Sequence, residues 1–195
     1  AINSMIISQG LNLKDINFQQ HSFKLEDLIS GKTDAMGCYL SNEPYILDSK
    51  NIEFKIHNPS EYGFEFYGGL FFTSQEELRQ NPIRVRKMHR AVLKGWKYAF
   101  ENIDETVKII YEKYNTQNKS LEALKYEAKI LKELAQFEEG NLGNIDYKKV
   151  EEIKRLYLLL GLSDSAINFK LEDIIYNPKK INLTQEEKNI LEIIK

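Results

Sequence analysis

The apolar and polar positions of the first eighty residues predict short helices and strands in alternation. Ile52, Phe54 and Ile56 alternate with charged or polar residues, which is the period of a half-buried strand. The run at 35–40 is continuously apolar, as in a strand covered on both faces. We expect two more short strands at 16–19 and 70–73, with helices between them. This order favours βαβ units and a mostly parallel sheet.

From residue 74 onward the apolar residues recur at helical spacing. Ser74 with Glu77 forms a capping-box pattern, and Pro82 suits the first turn of a long helix. Ser120 and Asp146 are expected to cap two further helices. We therefore predict an α/β unit over 1–80, a helical region over 81–178, and a linker or the start of a following module over 179–195.

The composition excludes several classes of protein. The chain has 195 residues, 27 Lys plus Arg against 29 Asp plus Glu, and one Cys. A net charge of -2 gives no general reason to expect nucleic acid or an anionic membrane as partner. A single Cys cannot form an internal disulfide, and no apolar run approaches the roughly 18–20 residues of a membrane span.

Motifs for catalysis or metal binding are absent from the sequence. The three histidines, His21, His57 and His89, lie on different predicted elements without Cys or carboxylate at ligand spacing, so we expect no metal site. Cys38 lies in the apolar run and is interpreted as a small buried residue rather than a nucleophile. We expect no catalytic residue and no cofactor in this region.

The junction between the 35–40 run and the next predicted helix carries Asn42 and Glu43. In open α/β sheets, ligands bind beyond the carboxyl ends of the strands, so these side chains can line a crevice. A structural alternative is equally compatible with the pattern: Asn42 caps the helix, and Glu43 favours its positively polarised end.

The segment 61–69 is rich in aromatic residues and glycine and forms a second candidate rim. Tyr62 and Tyr67 offer flat apolar area with a hydroxyl group, which suits stacking on a small ring. The alternative is a set of core aromatics beside a turn.

The same segments carry a family resemblance. The motifs are Asp34-Ala35-Met36 with Tyr39, Asn42-Glu43-Pro44-Tyr45, Tyr62-Gly63-Phe64, Tyr67-Gly68, Leu70-Phe71-Phe72-Thr73, Arg84-Val85-Arg86 and Lys94-Gly95-Trp96-Lys97-Tyr98-Ala99. Together they resemble the second lobe of the thiamine-pyrimidine synthase-like group of periplasmic substrate-binding proteins. Glu112-Lys113-Tyr114-Asn115-Thr116-Gln117 is similar to members that form the extracytoplasmic sensor region of bacterial histidine kinases and diguanylate cyclases.

The resemblance implies a type II periplasmic-binding-protein-like α/β fold. One mostly parallel-sheet lobe would be followed by helices that pack on a first lobe, whose opening strands lie outside this chain. A pyrimidine- or amine-like solute would bind between the lobes, outside the cytoplasmic membrane. The ligand-binding residues expected on this basis are Cys38, Tyr39, Asn42, Glu43, Tyr62 and Tyr67.

Two functions of other classes remain open from the sequence. One is an enzyme of thiamine-pyrimidine biosynthesis, although the Cys-rich segment of the synthases has no counterpart in this chain. The other is a helical interaction or dimerisation module, in which the helices after residue 74 contact a second copy or an attached signalling domain.

Overall fold

The protein is described by a computed structural model that covers residues 1–159, 170–178, 184–185 and 188–189. Most of the predicted segment 179–195 therefore lies outside the described residues. The helices are α1 (Ile2–Ser8), α2 (Glu26–Ile29), α3 (Glu43–Ser49), α4 (Gln75–Gln80), α5 (Pro82–Glu101), α6 (Ile103–Lys113), α7 (Leu121–Leu134), α8 (Tyr147–Leu159) and α9 (Leu171–Ile174). Short 3₁₀ turns occupy Leu13–Asp15 and Pro59–Tyr62.

The helices expected after residue 74 are confirmed within these ranges. The Ser74 hydroxyl accepts the Glu77 backbone N–H at 3.0 Å, and α5 begins at Pro82. The Ser120 hydroxyl accepts the Ala123 N–H at 3.1 Å. These caps satisfy backbone donors that the first helical turn leaves unpaired, which is why their positions can be predicted locally.

The predicted strands are not confirmed. The segments 16–19, 35–40, 52–57 and 70–73 contain no helix, and the described part of the chain contains no strand. The alternation persists at 52–55, where Ile52 and Phe54 are half-buried and the residues between them are exposed. A strand, however, exists only through ladder hydrogen bonds to a neighbour, and a pattern of side chains does not supply that neighbour.

The chain forms two compact units, each assembled from separate segments. The first comprises Ala1–Leu11, Asn58–Lys94 and Asn144–Lys195, and the second comprises Asn12–His57 and Gly95–Gly143. The predicted division at residue 80 stays a prediction. No helix in the described ranges is long and apolar enough to cross a membrane.

The second unit is built around α6 and α7. Val107 of α6 is 1% exposed, and Leu124 of α7 and Phe100 are also buried. Helix α3 packs on α7, where the Tyr45 and Tyr126 rings lie 5.3 Å apart between centroids. This packing fixes the start of α3, and with it the Asn42–Glu43 junction.

The first unit is held by contacts between loops and helices. Helix α1 contacts the Pro59–Tyr62 turn, and α9 contacts α8. The Phe66 ring packs against Tyr157 of α8, with 6.0 Å between the centroids. The aromatic segment 61–69 is thereby attached to α8.

Candidate functional site

Glu43 lies at the first position of α3 and is held by its own chain. Its Oε2 accepts the backbone N–H of Tyr39 at 2.9 Å, and its Oε1 accepts the side-chain amide of Asn42 at 2.9 Å. A turn hydrogen bond from the Asn42 N–H to the Tyr39 carbonyl, at 2.9 Å, closes the same loop. The direction of each carboxylate oxygen is therefore set by a donor from a nearby residue, Tyr39 for Oε2 and Asn42 for Oε1.

This arrangement bears on the structural interpretation of Asn42 as a helix cap, while its role in ligand binding stays a prediction. Asn42 is the N-cap residue of α3, but its side chain makes no capping hydrogen bond. It donates to Glu43 instead. The capping interpretation of the Asn42 side chain is wrong, and the residue acts to orient the neighbouring carboxylate.

The surroundings keep Glu43 ionised. Partial burial raises the pKa of Glu43, but hydrogen bonds from the Tyr39 N–H, the Asn42 amide and Glu43's own backbone N–H, together with the positive charge of Lys119, outweigh it and lower the pKa overall. The two carboxylate oxygens offer about four acceptor positions, so one position remains after these three bonds. The site can therefore accept hydrogen bonds from an amine or an amino-substituted ring.

Tyr39 and Cys38 precede this carboxylate and are both exposed. The Tyr39 side chain is 76% exposed, so its ring is available for contact with a ligand. The interpretation of Cys38 as a buried residue is wrong: the thiol is exposed, because the 35–40 run is not covered by a sheet in the described structure. Local burial and the Glu43 charge raise the pKa of Cys38, which leaves it a poor nucleophile.

The 38–43 loop is anchored to α7 by contacts that no local pattern indicates. The Tyr126 hydroxyl donates to the Leu40 carbonyl at 3.1 Å, across 86 residues of sequence. Lys119, whose charge acts on Glu43, forms an ion pair with Glu127 at 2.8 Å. Both residues were missed by sequence reasoning. The sequence offers little sign of either role: Tyr126 carries a hydroxyl within an amphipathic helix, and Lys119 lies just before that helix.

Tyr62 and Tyr67 belong to the first unit, whereas the other four predicted ligand contacts belong to the second. Tyr62 ends a 3₁₀ turn, followed by Gly63 with φ +83°. The Tyr67 hydroxyl accepts the backbone N–H of Asp146 at 2.8 Å, and the Lys149 ammonium lies 4.5 Å from the Tyr67 ring centroid. The structure brings Cys38, Tyr39, Asn42 and Glu43 together, and the role of the two tyrosines in ligand binding stays a prediction.

Lys149 also forms an ion pair with Glu65. Tyr67 is thus fixed to the start of α8 through its hydroxyl and covered on its ring by a cation, a contact that stabilises by about 0.5–1 kcal/mol at exposed sites. The Tyr67 hydroxyl accepts in its bond with Asp146 and keeps its own proton for donation.

Metal binding finds no support in the described residues. Over the ranges that the structure covers, no three His, Cys, Asp or Glu side chains are placed to hold an ion. Arg84 of α5 forms an ion pair with Glu77 and donates to it through Nε and Nη2, both at 2.6 Å.

Comparison with known proteins identifies the family. The family model described as NMT1/THI5-like matches residues 1–106. The formylaminopyrimidine-binding protein of Halalkalibacterium halodurans is 26% identical over 157 residues, which cover 78% of this chain and 48% of that protein. The chain thus spans about half the length of this curated relative. No solved structure matches the chain.

The family match supports a fold of the periplasmic-binding-protein-like kind. The predicted sheet lobe stays unconfirmed, because the described residues form no strand. The relative is named as a binding protein for a small molecule. Because the family model covers more than half of the 195 residues, the chain belongs to the NMT1/THI5-like family.

Proposed function

We propose that this chain is a solute-binding module that recognises an amino-substituted pyrimidine or a similar flat amine. The observation that carries the proposal is the Glu43 carboxylate, which Tyr39 and Asn42 orient and which retains an acceptor position. An exocyclic amino group would donate to it in a charge-assisted hydrogen bond. Family membership and the formylaminopyrimidine-binding relative support the same ligand class.

In this proposal the residues just before Glu43 provide the walls of the binding site. The exposed Tyr39 ring packs on the face of the ligand, and Cys38 borders it. Tyr62 and Tyr67, which belong to the other compact unit, stay predicted ligand contacts. Aromatic packing of this kind adds about 0.5–1.5 kcal/mol beyond the area it buries.

The proposal extends to location and signalling. A module of this family would act outside the cytoplasmic membrane, and a hinge motion on ligand binding would pass the signal to an attached domain. The enzyme of thiamine-pyrimidine biosynthesis stays the alternative, and iron-dependent turnover would favour it over a binding module.

Calorimetric titration of the full chain with 4-amino-2-methylpyrimidine tests the proposal. We expect binding that is lost with 2,4-dimethylpyrimidine, which has the same shape without the amino donor. Glu43→Gln should weaken binding about 10- to 100-fold, since a hydrogen bond to a charged group contributes about 1.5–3 kcal/mol. Glu53→Gln, an exposed glutamate of the same unit, is the matched control. Equal affinity of the two variants would contradict the assignment of Glu43.

A further inference from the structure

A second aromatic feature of the same unit is formed by the turn at 21–23. The backbone N–H of Phe23 donates to Nδ1 of His21 at 2.9 Å, and Nε2 of His21 lies 2.7 Å from the Gly37 carbonyl oxygen. Because a backbone N–H only donates, Nδ1 is the unprotonated nitrogen of the ring. Nε2 therefore carries the proton and donates it to Gly37.

The turn is fixed from its other side by Ser22. The Ser22 hydroxyl accepts the Lys24 backbone N–H at 3.2 Å. Its hydrogen bond to Asp27, with a further one from Lys32, holds the pKa of that carboxyl below its usual value. Both residues that precede Phe23 are thus tied by hydrogen bonds, which determines the position of the Phe23 backbone.

Phe23 itself is held in an unfavourable state. Its φ is +58°, a left-handed conformation that costs a residue other than glycine about 1–2 kcal/mol. Its side chain is 87% exposed, so the ring gains almost no burial in return. The His21 ring lies against it, with 4.4 Å between the centroids, and the rest of the ring faces solvent. Strained, overdetermined residues of this kind cluster at ligand sites.

The turn is also close to the proposed amine anchor. His21 is bonded to the carbonyl of Gly37, and Tyr39, two residues further on, donates its N–H to Glu43. Two residues reach at most about 7 Å, whatever their conformation. The hydrogen bond to Gly37 therefore links the turn that carries Phe23 to the segment that holds Glu43.

We propose that Phe23 is a further ligand-binding residue of the Glu43 site, on which the heteroaromatic ring of the ligand stacks, and that His21 is the positioning residue that presents it. This inference rests on the proposed function, because it assigns a second contact to the same ligand. It predicts selectivity for flat rings, whereas Glu43 alone would accept any amine.

Affinity for 4-amino-2-methylpyrimidine, measured by calorimetry on the full chain, tests the role of Phe23. Phe23→Ala should weaken binding about five- to tenfold, and Phe23→Tyr should retain it. The matched control is Tyr114→Ala, a 67% exposed aromatic at the end of α6 in the same unit, which should bind as the unchanged protein does.

Phe23→Gly separates a ligand contact from a structural role. Glycine accepts a positive φ without strain, so this variant should melt at a higher temperature than the unchanged protein while binding the probe more weakly. His21→Ala should also weaken binding, and His21→Asn should restore part of it. The Asn side-chain oxygen can accept the N–H two residues ahead, as His21 does.

Three outcomes of these titrations are informative. A selective loss of affinity in Phe23→Ala and Phe23→Gly supports the inference. Binding within twofold of the unchanged protein in both variants overturns it, while a loss in Glu43→Gln leaves the proposed function standing. Absence of probe binding by the unchanged protein overturns both.

Discussion

The segments 34–45 and 61–73 share an abundance of aromatic and small residues, yet their polar groups are used differently. In the first segment, Asn42 and the Tyr39 N–H orient the Glu43 carboxylate, which retains an acceptor position. In the second, the Tyr67 hydroxyl accepts the Asp146 N–H, and Lys149 covers the ring. The comparison teaches that a polar side chain with a partner in the same loop can organise a site. A polar side chain that bonds to a distant helix, as Tyr67 does, instead holds its own loop in position.

The largest expected effect concerns the ring of Tyr39. Because this side chain is 76% exposed, Tyr39→Ala should change the free energy of unfolding by less than about 0.5 kcal/mol. Its affinity for 4-amino-2-methylpyrimidine should fall about five- to tenfold, since the proposed stacking partner is lost. Calorimetry and chemical denaturation on the same preparation measure both quantities. A loss of stability with unchanged affinity would instead assign Tyr39 a structural role like that of Tyr67.

The hydroxyl of Tyr67 should show the opposite behaviour. Tyr67→Phe removes the acceptor of the Asp146 N–H and should lower the free energy of unfolding by about 1 kcal/mol, with affinity unchanged because the ring remains. Urea denaturation measures the change. The matched control is Tyr39→Phe, which removes the hydroxyl of an exposed side chain and should leave stability unaltered. Equal stability of the two variants would show that the bond to Asp146 contributes nothing.

A smaller effect is expected from Asn42, and it depends on pH. The pKa of Glu43 is lowered in the folded chain, so its contribution to stability is complete above the ordinary glutamate pKa. That contribution to stability is lost as the pH falls from the ordinary glutamate pKa through the lower pKa that Glu43 has in the folded chain. Asn42→Ala removes one of the bonds that lower it and should cost about 0.5–1 kcal/mol at neutral pH.

Urea denaturation at neutral pH and at pH values below the ordinary glutamate pKa measures this dependence. The stability difference between the two conditions should be smaller in Asn42→Ala than in the unchanged protein, and smaller again in Glu43→Gln. Identical pH profiles for all three proteins would show that Glu43 is not stabilised in its charged form.

The smallest effect is expected at the exposed end of the second segment. Phe72 is 86% exposed, so Phe72→Ser should alter the free energy of unfolding by no more than a few tenths of a kcal/mol. Thermal denaturation measures the change. A loss of 2 kcal/mol or more would show that Phe72 is buried in the native protein. It would then also favour the strand predicted at 70–73.

The helical elements could be predicted because their determinants are local. Ser74 and Ser120 bond to N–H groups three residues ahead, and Pro82 begins α5. The position of Glu43 at the start of a helix follows from the same reasoning, and so does its nearness to Asn42. Such interactions depend on a few consecutive residues, all of which are visible in the sequence.

The remaining features depend on groups far apart in the chain. The 35–40 run predicts a buried strand only if other strands flank it, and without them Cys38 and Tyr39 are exposed. Lys119 and Tyr126 act on the 38–43 loop from more than seventy residues away, through the packing of α3 on α7. The sequence around His21 bears only on metal ligation, whereas the role of His21 in the turn depends on the left-handed Phe23 backbone, which no sequence pattern indicates.

The internal hydrogen bonds of Glu43 also bear on the kinetics of binding. Because the carboxylate is oriented before a ligand arrives, the Glu43 side chain needs no further ordering during the encounter, which lowers the entropic cost of association. Association rates should then be similar for all small flat amines that reach the site. Discrimination among them would lie in the dissociation rate, so that a cognate solute is distinguished by how long it stays.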